Sequence, residues 1–147
     1  MGLKRDLGDG DVAIDTAVLI YFMEDHPRYG PLVQKLFEDA DGGRRSLVTS
    51  AIALLEVLVV PYRAANLALA SRYEALLTRG RGLRLVDVDR PLLRAAAQLR
   101  ALCGLGTPDA LQVAAALSQR CSVFLTNDRR LPPVPGLRVL QLRDYLA

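Results

Sequence analysis

Short, largely apolar or alternating runs take turns along this chain with longer stretches in which apolar residues recur every three or four positions. The short runs are Val12-Ala13-Ile14, Ser46-Leu47-Val48-Thr49, Leu83-Arg84-Leu85-Val86-Asp87-Val88, Ser122-Val123-Phe124-Leu125 and Leu137-Arg138-Val139-Leu140. Their length and their Val, Ile and Leu content predict strands. Helical spacing covers residues 17–22, 31–41, 51–59, 66–79, 92–103 and 108–116, with a short terminal turn at 143–146. Leu32, Val33, Leu36, Phe37 and Ala40 share one face of the second of these, and Leu69, Tyr73, Leu76 and Leu77 one face of the fourth. Residues 51–59 are apolar nearly all round except for Glu56. Strand and helix taking turns in this way is the βαβ rhythm, so the expected fold is a three-layer α/β/α sandwich with a mostly parallel sheet of about five strands.

The polar residues between these runs punctuate them. Thr16 and Ser50 are predicted to cap helices, Pro61 to end one, and Gly42-Gly43 and Gly80-Arg81-Gly82 to turn the chain. Thr107 reads as an N-cap, Pro108 suits the first helical position, and Asp109 then falls in the first turn, where the helix dipole favours an anion. Residues 1–10 are polar and Gly-rich and read as a loose lead-in. With no repeat, low-complexity tract or long linker, residues 1–147 are expected to form one domain.

Composition narrows the chemistry. An aromatic share of 5% and no Trp leave the core to aliphatic side chains. The net charge of +3 comes from an excess of Arg, with Lys4 and Lys35 the only lysines; guanidinium groups suit a polyanionic partner, although a plain Arg-over-Lys composition bias accounts for the same count. Cys103, Cys121 and a single histidine, His26, cannot assemble a thiolate or imidazole metal cluster, and a reduced, cytoplasmic protein is expected. The longest apolar runs are broken by Asp15 and Glu56, so no membrane span is expected.

Acids stand at telling places in this pattern. Asp15 and Asp128 fall just beyond the ends of predicted strands, Asp109 opens a helix, and Glu56 lies on the helix after the second strand. Ligands of parallel sheets bind outside the carboxyl ends of the strands, where these side chains can converge. Each has a structural alternative: Asp15 and Asp109 as helix-end acids, Asp128 as an Asx turn, Glu56 on an exposed strip or paired with an arginine. A shared site explains them together, since oxygen-only ligands select hard cations such as Mg²⁺ or Mn²⁺, which act on phosphates. Thr126 and Asn127 are candidate partners of water or phosphate, or strand-ending hydrogen-bonding groups, and Arg129 and Arg130 are candidate RNA contacts or a solvated pair.

The motifs Ile14-Asp15-Thr16-Ala17-Val18-Leu19-Ile20, Ser50-Ala51-Ile52-Ala53-Leu54-Leu55-Glu56-Val57, Pro108-Asp109-Ala110-Leu111-Gln112-Val113-Ala114-Ala115-Ala116 and Phe124-Leu125-Thr126-Asn127-Asp128 resemble, in order and spacing, the acidic motifs of PIN-domain ribonucleases. Length and compactness are similar to the VapC-type toxins of toxin–antitoxin pairs. The resemblance implies Mg²⁺- or Mn²⁺-dependent endonucleolytic cleavage of RNA by metal-activated water, homodimerisation, and inhibition by a small antitoxin. It also implies that Asp15, Glu56, Asp109 and Asp128 are the catalytic, metal-site acids, with Thr16 and Thr126 as supporting polar residues. Asn127 stands where an additional acid is sometimes found. Two other readings remain open: a PIN-like binding or scaffolding subunit, and a Mg²⁺-dependent phosphohydrolase of small molecules. The latter needs a second Asp two residues after the first, where this chain has Ala17.

Overall fold

The computed structural model describes residues 2–146. The strands are β1 (Val12–Ile14), β2 (Leu47–Ser50), β3 (Leu83–Val86), β4 (Val123–Thr126) and β5 (Arg138–Gln141). The helices are α1 (Leu3–Leu7), α2 (Thr16–Met23), α3 (Gly30–Asp41), α4 (Ile52–Arg63), α5 (Leu67–Arg79), α6 (Arg90–Cys103) and α7 (Thr107–Ser118), with a 3₁₀ turn at Leu142–Tyr145. All five strands are parallel, in the order β3-β2-β1-β4-β5, as the strand–helix alternation predicts.

Side-chain alternation along the strands divides the core in two. Val12, Ile14, Leu47, Val123 and Leu125 point to the face covered by α2, α3, α4 and α5. Ala13, Val48 and Phe124 point to the opposite face, under α6 and α7. The Ala-rich run of α7 lets it lie close on the sheet, and Ala110 through Ala116 are all buried. The register aligns Ile14 with Leu125, so the carboxyl ends of β1 and β4 lie side by side. From β1 the chain proceeds to β2 and β3 on one side and then to β4 and β5 on the other, which makes the gap beyond β1 and β4 the switch point where parallel sheets bind ligands.

Several local expectations are corrected. The lead-in is not a loose segment: Leu3 and Leu7, one turn apart, put α1 against the core, with Leu7 buried. Arg45 donates to the carbonyls of Gly8 and Gly10, and Tyr145 donates to the Asp6 carboxylate at 2.7 Å. Pro61, itself buried, lies inside α4 rather than ending it, and the helix runs on to Arg63. Thr107 is not the cap of α7, a place taken by Gly106; the Thr107 hydroxyl instead accepts from Arg100 at 2.9 Å.

Candidate active site

The residues that follow β1 and β4 open onto a cavity of about 390 Å³. Its walls carry Asp15, Glu56, Asp109 and Asp128, together with Tyr21, Gln112 and Arg130. The four predicted acids thus reach one site from four elements: the ends of β1 and β4, the middle of α4 and the first turn of α7.

Asp15, not Thr16, is the N-cap of α2, and its Oδ1 accepts from the Val18 N–H at 3.3 Å. Thr126, buried at the end of β4, donates its hydroxyl to Asp15 Oδ2 and accepts from the Asp128 N–H at 3.0 Å. Thr16, released from capping, donates to Glu56 Oε1 at 2.6 Å. Each threonine hydroxyl therefore donates to one of the cavity's acids.

Burial raises the Asp15 carboxyl to about 6, the Thr126 and Val18 hydrogen bonds oppose this, and the charge of Asp109 adds to it. Asp109 is also raised, by burial first and then by the charges of Asp128 and Glu56. The cavity thus concentrates negative potential that a cation would relieve. Its all-oxygen donors fit a hard divalent ion in chemistry. Their spacing is looser: among the described residues no three acidic, histidine or cysteine side chains are grouped closely enough to hold an ion as they stand. Glu56 is engaged by Thr16, and Asp128 is tied elsewhere.

Asp128 forms an Asx turn, accepting from Arg130 N at 2.9 Å and from Arg130 Nε at 3.2 Å. The Arg130 N–H is the main reason its carboxyl lies below the usual range. The structural alternative for Asp128 is therefore realised, while the residue still lines the cavity. Arg130 stands at the rim with its side chain 92% exposed, and Arg129 is exposed beside it. Asn127 also lines the cavity, but its Oδ1 accepts from Arg143 N at 2.9 Å and its Nδ2 reaches Tyr21 Oη at 3.4 Å. Its amide secures the C-terminal turn to the site.

Sequence reasoning passed over Gln112. Its Oε1 accepts from the Ser50 N–H and the Thr49 hydroxyl, each at 3.0 Å, fastening α7 to the end of β2. A backbone N–H can only donate, so this contact fixes which end of the amide is oxygen. The Nε2 end is then a buried donor with no protein acceptor, on a side chain that lines the cavity. The available signal was a single amide inside the apolar run from Ala110 to Ala116.

A family model described as "PIN domain" matches residues 12–137. The chain belongs to the PIN domain family. A search of curated proteins gives no match to this PIN domain. Among solved structures, it is similar to a toxin–antitoxin complex from Klebsiella pneumoniae, with 18% identity, TM-score 0.67, and coverage of 89% of this chain and 97% of that one. VapBC2 from Rickettsia felis, bound to a promoter DNA fragment, matches at 17% identity and TM-score 0.64, covering 89% of this chain and 98% of that one. VapC20 from Mycobacterium tuberculosis, described as a sarcin–ricin loop cleaving toxin, matches at 15% identity and TM-score 0.62, covering 77% and 86%. At these identities the likeness establishes the PIN-like α/β fold.

Proposed function

We propose that this PIN-domain protein is a Mg²⁺- or Mn²⁺-dependent endoribonuclease and the toxin of a VapBC-type toxin–antitoxin pair. The observation that carries the reading is the convergence of Asp15, Glu56 and Asp109 on one open cavity, with the carboxyls of Asp15 and Asp109 both raised. Asp15, Asp109 and Glu56 are the residues that would hold the cation; Asp128, engaged by Arg130, acts from the rim. A divalent ion there supplies Lewis acidity, a more acidic water and charge to offset a phosphodiester in displacement.

The protein's own groups do the remaining work. Thr126 and the Val18 N–H orient Asp15, and Thr16 orients Glu56. Asp109 stands in the first turn of α7, where the helix end offsets part of the cost that burial and the neighbouring acids place on its anion, and the same dipole disfavours a cation on the helix axis. Asp109 would therefore share the ion with Asp15 rather than hold it alone. Arg130 at the rim, and Arg129 exposed next to it, would meet backbone phosphates of the RNA.

The solved neighbours include toxin–antitoxin complexes, and this supports an antitoxin as partner. Leu55, Val60, Tyr62 and Leu67 on and around α4 and α5 are exposed large apolar residues, a surface suited to burial by an antitoxin or a second copy of the chain. Among the described residues no helix is long and apolar enough to cross a membrane.

A binding module without nuclease activity is the second reading, favoured by the loose spacing of the acids. An RNA-cleavage assay in Mg²⁺ or Mn²⁺, with and without chelator and beside Asp109→Asn, separates the two. The nuclease reading expects cleavage to stop in chelator and to fall by roughly 10²–10³ in the variant, the loss typical of removing one group that stabilises transition-state charge. Undiminished cleavage in both arms would overturn the assignment of the metal site, and no cleavage in any arm would favour the binding module.

A further inference from the structure

Beside the acid cavity lies a cluster of rings that the reading above leaves unused. The Tyr21 and His26 rings are centred 4.9 Å apart at 63°, Tyr21 and Tyr29 are 4.9 Å apart at 31°, and His26 and Tyr29 are 5.1 Å apart. Tyr21 belongs to both places, since it lines the acid cavity and its hydroxyl meets Asn127 at the end of β4. We propose that Tyr21, His26 and Tyr29 form a stacking platform for an unpaired nucleobase of an RNA strand whose backbone crosses the acid cavity. This rests on the ribonuclease reading and adds to it the side chains that would meet an unpaired base.

The distribution of aromatic residues supports a role at the surface. Phe37, Phe124 and Tyr73 are buried, and Phe22 stacks on Phe37 at 4.0 Å within the core. Tyr21, His26 and Tyr29 are each partly exposed, with Tyr21 and Tyr29 also packed against the edge of the core. The loop that carries them is held in one shape. His26 N donates to Tyr21 O at 3.0 Å, Gly30 N donates to His26 O at 2.8 Å, and His26 Nδ1 accepts from both Arg28 N and Tyr29 N at 3.1 Å. Accepting at Nδ1 leaves the proton of the neutral ring on Nε2. A platform fixed before binding loses little entropy when a base settles on it. Arg28, exposed on the same loop, supplies a cation for the adjoining phosphate. Paired RNA keeps its base faces stacked inside the helix, so these rings can engage only unpaired bases.

The test uses the full chain in chelator, with a short unpaired RNA carrying 2-aminopurine. The expected result is quenching of the probe on binding, with Tyr29→Ala weakening binding by roughly tenfold, the usual size of one lost base–aromatic contact. Tyr29→Phe, which keeps the ring, should recover the binding, and in Mg²⁺ the defect of Tyr29→Ala should appear in KM. The same RNA annealed to its complement should show no such difference between wild type and Tyr29→Ala. RNA bound without quenching, or bound equally by a Tyr29→Ala variant with an unchanged melting temperature, would overturn the platform and leave the ribonuclease reading intact. Absence of both RNA binding and metal-dependent cleavage would overturn both. Should Tyr29→Ala fail to fold, quenching by the wild-type protein decides the matter.

Discussion

Replacing Asp15 by Asn should stabilise the metal-free protein at neutral pH while abolishing its activity. An aspartate that titrates at about 6 in the fold, against 3.8 when free, costs roughly 3 kcal/mol when it is ionised at neutral pH. Asn keeps the helix-capping oxygen for the Val18 N–H, and its amide can still pair with Thr126, so little else is lost. Because the folded carboxyl binds its proton more tightly, the wild-type penalty is absent below about pH 4, grows between pH 4 and 6, and is complete above it. Urea unfolding in chelator from pH 4 to 8 reads this directly. The variant should gain up to about 3 kcal/mol at pH 7.5, a rise in Tm of roughly 10 °C for a chain of this size, and the gain should vanish at pH 4. Mn²⁺ should then raise the Tm of wild type more than that of the variant. A variant less stable than wild type at pH 7.5, or a gain independent of pH, would refute the claim that this carboxylate is held against its preference.

Two further perturbations address the frame around the site. Gln112→Met conserves volume but strands the buried Ser50 N–H, so it should cost about 2 kcal/mol in chemical denaturation, and a cost near zero would remove Gln112 as the tie between α7 and β2. Gly82 has φ +72° and an added Cβ would press into the Ala40 carbonyl, whereas Gly43 has φ +77° with open space around it. Gly82→Ala should therefore destabilise by about 3 kcal/mol or more and Gly43→Ala by only about 1 kcal/mol; equal losses would contradict the close approach of that turn to α3.

Much of this architecture is legible in the amino-acid order. Alternating apolar runs and helical periods are local properties, and they predict a parallel sheet between helical layers because each element must bury its own apolar face. The acids were legible for the same reason: Asp15 and Asp128 follow strands, and a parallel sheet places all such positions at one edge. Capping is less legible. Asp15 displaces Thr16 as the cap of α2 because Thr16 finds a partner forty residues along the chain in Glu56, a contact that no local window contains. The helix α1 was missed because Leu3 and Leu7 are only two apolar residues in a polar lead-in, and their worth depends on a core built from later segments.

Only the tertiary structure decided the electrostatics and the neighbours of the site. Local pattern cannot tell that Asp128 turns back onto Arg130, that Gln112 spans from α7 to β2, or that Tyr21 brings a ring cluster to the cavity. The Asx turn at Asp128 is local, one of two readings that only the folded chain separates, whereas the other two contacts depend on the strand order β3-β2-β1-β4-β5, which brings residue 15 beside residue 126. A carboxyl pushed to about 6 is likewise a property of its assembled surroundings, since the same residue in an open chain titrates at 3.8. The sequence by itself determined which groups were available and at which edge of the sheet; packing decided which of them are free to act, because burial and hydrogen bonding are set by residues distant along the chain.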